Sequence, residues 1–323
     1  MSLLTQASLV LTPTSYKANK LYSVVPSSGN GDMTTTRATT ATRVNSSGLV
    51  ENVATGIPRV DYTGGIANIL LEPQRTNLLL NSTTVVTQTI TTTAVANTLS
   101  FYGTGIITLS GTFSGSLVGT GVTNRVSLTF TPTVGNLVLT VSGSCTNGQL
   151  EAGAYATSYI PTTTSTVTRN AELMTLNNIY TNNFITSVGG TWFIELDNNF
   201  ALSRDAGTLE SLAIQTSAIS SDNALYIRTF VGTNRLSIGK RIATTESTLY
   251  NTLTDKIKIA IDWNGTTADV FVNGVKVVNA TSFTTTNMQY FISNGIDVPK
   301  YIKSFMLFPT PLTDAECISL TTL

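Results

Sequence analysis

Residues 256–280, KIKIAIDWNGTTADVFVNGVKVVNA, alternate apolar and polar side chains with few interruptions. A period of two puts Ile257, Ile259, Ile261 and Trp263 on one face of an extended strand. Asn264-Gly265 and Asn273-Gly274 supply the positive φ of tight turns, so the run predicts two successive hairpins. A chain that writes this pattern must build an antiparallel sheet with one face buried. GTWFIELDNNF, ALYIRTFVG, NRLSIGK and YIKSFMLFPTPL read the same way. Trp192, in phase with Ile194 and Leu196, and Trp263 are predicted core residues. Phe193 and Phe271 fall on the opposite phase, beside Glu195 and Asp269, where they would meet another subunit or line a groove.

Composition extends the β reading to the whole chain. Of 323 residues only 11% are charged, against an ordinary quarter. Thr, Ser, Asn and Gly take their place, and β-branched Thr suits a half-exposed pleated surface. The 18 basic and 18 acidic residues balance, which argues against a nucleic-acid partner or a basic membrane patch. No His is present, so Ser-His-Asp and Cys-His catalysis are excluded within one chain. Cys145 and Cys317 form no CxxC pattern and read as buried free thiols. No apolar run approaches the roughly 18 residues that span a bilayer. The start, MSLLTQASLVLTPTSYK, lacks a basic region ahead of its apolar residues and is not read as a signal peptide.

Three regions are expected. Residues 1–82 hold short β-like runs, SLVLTP and KLYSVVP, and a turn cluster SSGNGD. A unit of this size would be marginally stable alone, so another subunit or a partner is expected to hold it. Residues 83–168 alternate at Val126, Leu128 and Phe130 and at Leu137, Leu139 and Val141, predicting a small antiparallel sandwich closed by QLEAGAYATSYIP. TTTSTVTRN bridges into residues 169–323, where the strands lengthen. Charge is unevenly used in the first region: Arg37, Arg43, Arg59 and Arg75 accompany Glu51, Asp61 and Glu72. A guanidinium meets carboxylates and carbonyls at several points. These residues are read either as subunit contacts or as intrachain staples.

TTTRATTATRV, GIPRVDY and LLEPQRTNLL, in that order within Thr34–Ser82 and after KANKLYSVVPSSGNGDM, resemble a module found near the start of many bacteriophage virion proteins. GQLEAGAYATSYIPTTTSTVTRNA at Gly148–Ala171 is a second echo. The resemblance implies a head or tail fibre or adhesin on the virion surface, with other virion proteins and host glycans as partners. Assembly in the bacterial cytoplasm fits a start not read as a signal peptide. A homotrimer is expected because the loop-rich N-terminus and strand edges in a charge-poor chain need covering. Arg37, Arg43, Arg59, Asp61, Tyr62, Glu72 and Arg75 would be the attachment or oligomer contacts. Related phage proteins carry a longer insert after the first module, often with a Trp that is missing here. The last 150 or so residues resemble a concanavalin-like, laminin-G-type jelly roll, whose late V-x-V-N-G hairpin and terminal LSDAE-type helix match VFVNG and PLTDAECISLTTL. Thr313 is the expected N-cap of a helix through Leu320. The expected architecture is thus all-β: a loop-rich N-terminal module, a small sandwich and a C-terminal jelly roll. A prophage-derived surface lectin and a tailspike-type depolymerase are the alternatives.

Candidate chemistry is sparse. Tyr226, Phe230 and Tyr290 are possible glycan contacts in the jelly roll. Asp197-Asn198-Asn199 and Asp222-Asn223 are the nearest approach to a calcium cluster, and neither matches a Ca²⁺ loop, so no metal or cofactor is expected. Glu195 and Asp197, two residues apart on one strand face, would lie about 7 Å apart, a separation compatible with glycoside hydrolysis. The E-x-D-x-x-E glucanase pattern breaks at Phe200, however, and the chain is expected not to be an enzyme.

Overall fold

The computed structural model describes residues 2–197, 210–217, 223–230, 235–252, 256–284, 287–294 and 300–323. The fold is all-β: antiparallel sheets, with helices only at Leu3–Gln6, Pro13–Ser15 and Asp314–Thr321 among the described residues. Two large sheets face each other across the main core. The eight-stranded sheet runs in the order Val275–Ser282, Thr267–Val272, Lys256–Trp263, Gly190–Asp197, Lys300–Phe308, Asn68–Leu71, Arg59–Asp61, with Leu9–Leu11 as the eighth strand, paired to Lys300–Phe308 off this path. The seven-stranded sheet runs Thr245–Thr252, Arg235–Ile242, Ala224–Phe230, Glu210–Gln215, Tyr290–Asn294, Leu173–Asn177, Thr34–Thr36.

The predicted alternation is realised in the core between them. Trp192 and Trp263 are 1% and 0% exposed, packed with Ile194, Ile257, Ile259, Ile261, Phe291 and Phe305. Of the two Asn-Gly turns, only the second has both residues at positive φ, Asn273 at 48° and Gly274 at 81°. The first is closed by the Asn264 side chain, whose Oδ1 accepts from the Thr266 and Thr267 amides at 3.1 and 2.9 Å. That is side-chain turn chemistry of the Asx kind.

Phe193 and Phe271 point to the outer face of the eight-stranded sheet, as their phase requires, but neither waits for a second subunit. The helix Asp314–Thr321 and the N-terminal residues Ala7 and Val10 cover them, with Phe308, Leu312 and Cys317 completing a second core layer. This corrects the expectation of an intersubunit or groove position. The helix begins with a capping box in which Thr313 Oγ1 accepts from the Glu316 amide and Glu316 reaches back to the Thr313 amide.

The N-terminal segment is woven into both large sheets. Leu9–Leu11 pairs with Phe305–Leu307, and Ile69–Leu71 with Lys300–Ile302, so one long strand receives two N-terminal strands end to end. Thr34–Thr36 extends the other sheet through Leu173–Thr175. What holds the loop-rich first 82 residues is therefore this chain's own jelly roll. The small sandwich, built from a three-stranded and a four-stranded sheet around Leu99, Phe101, Ile107, Leu137, Leu139 and Leu150, stands on a neck. The chain enters it through Arg75–Asn77 and leaves through Val167–Arg169, and these strands pair with each other. In the sheets, residues on both sides of the small sandwich form one unit, and the sandwich is an insertion within it.

Candidate functional site

At the neck, five ionisable side chains from segments far apart in sequence lie in one buried cluster. The strand Arg59–Asp61 carries a guanidinium that is fully buried. Its Nε donates to Glu172 Oε1 at 2.7 Å, Nη2 donates to Glu172 Oε2, and Nη1 donates to Glu72 Oε2 at 2.8 Å. Arg37 Nη1 reaches Glu172 Oε1 at 2.5 Å, and Arg169 Nη1 lies 2.7 Å from Glu72 Oε2. Three guanidiniums thus face two carboxylates. The surplus positive charge is spread over backbone carbonyls: Arg37 donates to Thr39 and Ala54, Arg169 to Pro73, Arg59 to Thr42.

Burial alone would raise the Glu72 carboxyl. Arg169 and Arg59, with two hydrogen bonds from Ser158, outweigh it and hold the group at about 2. Burial likewise opposes the charge on Arg59, but Glu172 and Glu72 reverse the balance and raise it. For Arg37 and Arg169 burial prevails and the shift is downward. Ser158 is the hinge pin of the cluster. Its amide and hydroxyl both donate to Glu72, at 2.8 and 2.5 Å, while its oxygen accepts from Arg59 and Arg169.

Beside the cluster opens a cleft of about 930 Å³ between the hairpin Ala41–Val44/Val50–Val53, the turn 61–65 and the outer face of the strand Gly121–Phe130. The volume is near the top of the roughly 300–1,000 Å³ usual for ligand clefts. Tyr62, Tyr102, Tyr155, Tyr159 and Tyr301 contribute rings or hydroxyls. Its charges are committed within the chain. Arg43 Nε donates to Glu51 at 2.6 Å; Arg125 donates to the Thr157 carbonyl at 2.5 Å and to Ser100 Oγ at 2.8 Å. Asp61 accepts from the Val44 and Thr63 amides at 2.7 and 2.8 Å. Burial pushes the Tyr102 phenol upward, so it stays an O–H donor at neutral pH.

The attachment candidates are thus brought to one place, but mostly inside the protein. Arg37, Arg59, Asp61 and Glu72 are buried, and their side chains are spent on intrachain partners. Arg43 and Tyr62 line the cleft, half-buried. Arg75 covers the Tyr155 ring at 5.0 Å and donates to its hydroxyl at 2.9 Å. The jelly-roll glycan candidates do not gather into a site. Tyr226 is fully buried under the Arg228 guanidinium, 4.7 Å from its ring centre, and is corrected as a surface contact. Tyr290 is half-buried on another strand, and the Phe230 side chain lies outside the described residues. Asp222, Asn198 and Asn199 also lie outside them. Among the described residues, no three His, Cys, Asp or Glu side chains come together as metal ligands would. Glu195 and Asp197 face Lys303, whose Nζ is 4.0 and 3.3 Å from them. Arg169, Glu172 and Ser158 are cluster members that sequence reasoning did not single out, although all three lie in the second echo of the phage-like module or beside it.

No protein-family model and no curated protein matches the sequence. Similar solved structures include a Trypanosoma rangeli sialidase in complex with 2,3-difluorosialic acid, at 12% identity and TM-score 0.37, covering 46% of this chain and 25% of that one. The binding domain of botulinum neurotoxin DC in complex with rat synaptotagmin II matches at 15% identity and TM-score 0.34, covering 46% and 39%. A native glycosidic hydrolase matches at 10% identity and TM-score 0.34, covering 45% and 73%. The chain thus spans about a quarter of the sialidase it resembles. These likenesses correct the expectation that the chain is not an enzyme: a sialidase and a glycosidic hydrolase are among the similar structures.

Proposed function

We propose that this chain is a surface component of a bacteriophage particle, a head or tail fibre, that recognises carbohydrate on the host surface. One observation carries the reading. The segments that resemble the virion module, TRATTATRV, GIPRVDY, LLEPQRTNLL and the later GAYATSYIP and TVTRNAEL, converge on one ion cluster and one cleft. Motifs separated by about a hundred positions are then parts of a single structure, a neck that fixes the small sandwich against the jelly roll. Rigid presentation of a projecting domain suits an adhesin. A homotrimer belongs to the same reading. The strand Gly121–Phe130 is an edge strand with Val122 74% exposed, and a second copy can cover such an edge.

Gold-labelled antibody against this chain, applied to purified particles of a phage that carries its gene, should decorate an outer feature of the particle. Recovery of the chain only from the host-cell fraction, with unlabelled particles, would overturn the assignment.

A further inference from the structure

We infer that the neck cleft, rather than a sheet of the jelly roll, is the carbohydrate site, and that it takes a neutral oligosaccharide. The inference rests on the proposed carbohydrate reading and adds to it a place and a ligand class. The charges at the cleft balance in number. Arg43 and Arg125 stand against Glu51 and Asp61: Arg43 is paired with Glu51, while Arg125 is bonded to the neutral Thr157 carbonyl and Ser100 hydroxyl and Asp61 to two backbone amides. An anionic or cationic ligand would lose its hydration and meet no net counter-charge in return. A neutral, hydroxyl-rich ligand suffers no such penalty.

The groups left to meet a ligand also suit a sugar. Tyr62 and Tyr102 are half-buried at the wall, and neither phenol is engaged by another described group. An aromatic ring with a polar tip offers a sugar both a stacking face and a hydrogen bond. Across from Tyr62, on the sheet wall to which Tyr102 belongs, the strand Gly121–Phe130 presents Thr123, Asn124 and Ser127, whose side chains are exposed and make no internal hydrogen bond. Hydroxyls and a carboxamide both donate and accept, which matches the mixed character of sugar hydroxyls. The ladder spacing of a strand, about 6.6 Å between alternate residues, lets successive side chains address an extended chain of units.

The buried cluster gives the cleft a fixed shape. Ser158 lies in the cleft lining and is locked by Glu72, Arg59 and Arg169. The two walls belong to different sheets, so their separation is set by that lock. A preformed cleft spares the ligand the cost of ordering its site.

The test uses the intact chain with fluorescently labelled short neutral oligosaccharides of gluco-, manno-, galacto- and N-acetylated type, and sialyllactose as the acidic probe. Wild-type protein should bind at least one neutral probe in a saturable manner and bind sialyllactose more weakly. Tyr62→Ala should weaken that binding by roughly tenfold, as loss of a stacking ring does. Asn124→Arg, at an exposed position that does not threaten folding, should weaken it comparably by filling the cleft. Tyr290→Ala, in the jelly-roll sheet, should leave it unchanged. Wild-type protein that binds none of the probes would overturn both the site and the carbohydrate reading. Wild-type binding that survives Tyr62→Ala and Asn124→Arg, in variants with unchanged melting temperature, would overturn the cleft alone. Preference for sialyllactose would overturn the neutral-ligand assignment.

Discussion

Arg59 and Glu172 meet through two points, Nε to Oε1 and Nη2 to Oε2, across 113 positions of sequence and with both side chains fully buried. One comes from an eight-stranded-sheet strand of the N-terminal segment, the other from the residues just after the neck. Their contact fixes where the two arms of the chain cross.

Removing either partner should therefore be costly. Arg59→Ala leaves each carboxylate one guanidinium, Arg37 on Glu172 and Arg169 on Glu72, but strips Glu172 of its two-point partner and empties the centre of a dry polar cluster, and a loss of roughly 3–5 kcal/mol is expected. Arg59→Lys should recover little, because an ammonium cannot reproduce the two-point fork. A double-mutant cycle with Glu172→Gln, followed by denaturant unfolding, should show strong non-additivity. Additive effects would mean that the two residues are energetically independent.

The same cluster predicts acid sensitivity. The Glu72 carboxyl is held at about 2, below its ordinary 4.5. A depressed carboxyl contributes stability that is fully present above the unfolded value and is lost as pH falls toward the folded one. Melting temperature should drop as pH is lowered from about 4.5 toward about 2. Glu72→Gln should flatten that arm of the profile while lowering stability at neutral pH.

Asp262 works in the opposite sense. It lies under Leu312, whose amide donates to it at 2.9 Å, and beside the Thr191 hydroxyl. Burial raises its carboxyl to about 6, and the facing Asp269 and Asp314 add to the shift. The folded protein thus holds a proton that the unfolded chain has released, so stability falls as pH rises from about 4 through about 6. Asp262→Asn keeps the accepting oxygen and should remove this slope, leaving the variant more stable than wild type above that window by on the order of 2 kcal/mol. Parallel pH profiles for the two proteins would contradict this.

Much of the jelly roll could be read in the sequence because its strands are long enough to show a period. Ile257, Ile259, Ile261 and Trp263 declare their face locally, and Thr313 with Glu316 declares the helix start. Other parts carry no such local mark. Leu9–Leu11, Thr34–Thr36 and Arg59–Asp61 are three-residue strands, too short for periodicity, and the partners of the first two lie more than a hundred positions away. Thr245–Thr252 is a polar edge strand with no continuous apolar face. The pairing of Arg59 and Arg37 with Glu172 was hidden for the same reason, since nearby Glu51 and Asp61 looked like the natural partners in sequence. Tyr226, opposite in phase to the core residues Leu225 and Ile227, is buried all the same because the Arg228 guanidinium lies over its ring.

Trp263 offers a check on the main core. Deleting its buried ring should destabilise the protein by roughly 3–5 kcal/mol. Its fluorescence should be blue-shifted and shielded from iodide; Trp192 is buried too, so the comparison is best made in a Trp192→Phe background. A red-shifted, readily quenched Trp263 would place the ring at the surface instead.

Carbohydrate recognition is tested most directly by a glycan array probed with the purified intact chain. Bacterial surface polysaccharides and their fragments would be included, and released oligosaccharide measured from the same wells. Saturable binding to at least one carbohydrate, competed by the same sugar free in solution, is the predicted result. A signal no higher than that of a non-binding control protein across the whole array, at protein concentrations up to the solubility limit, would contradict the account.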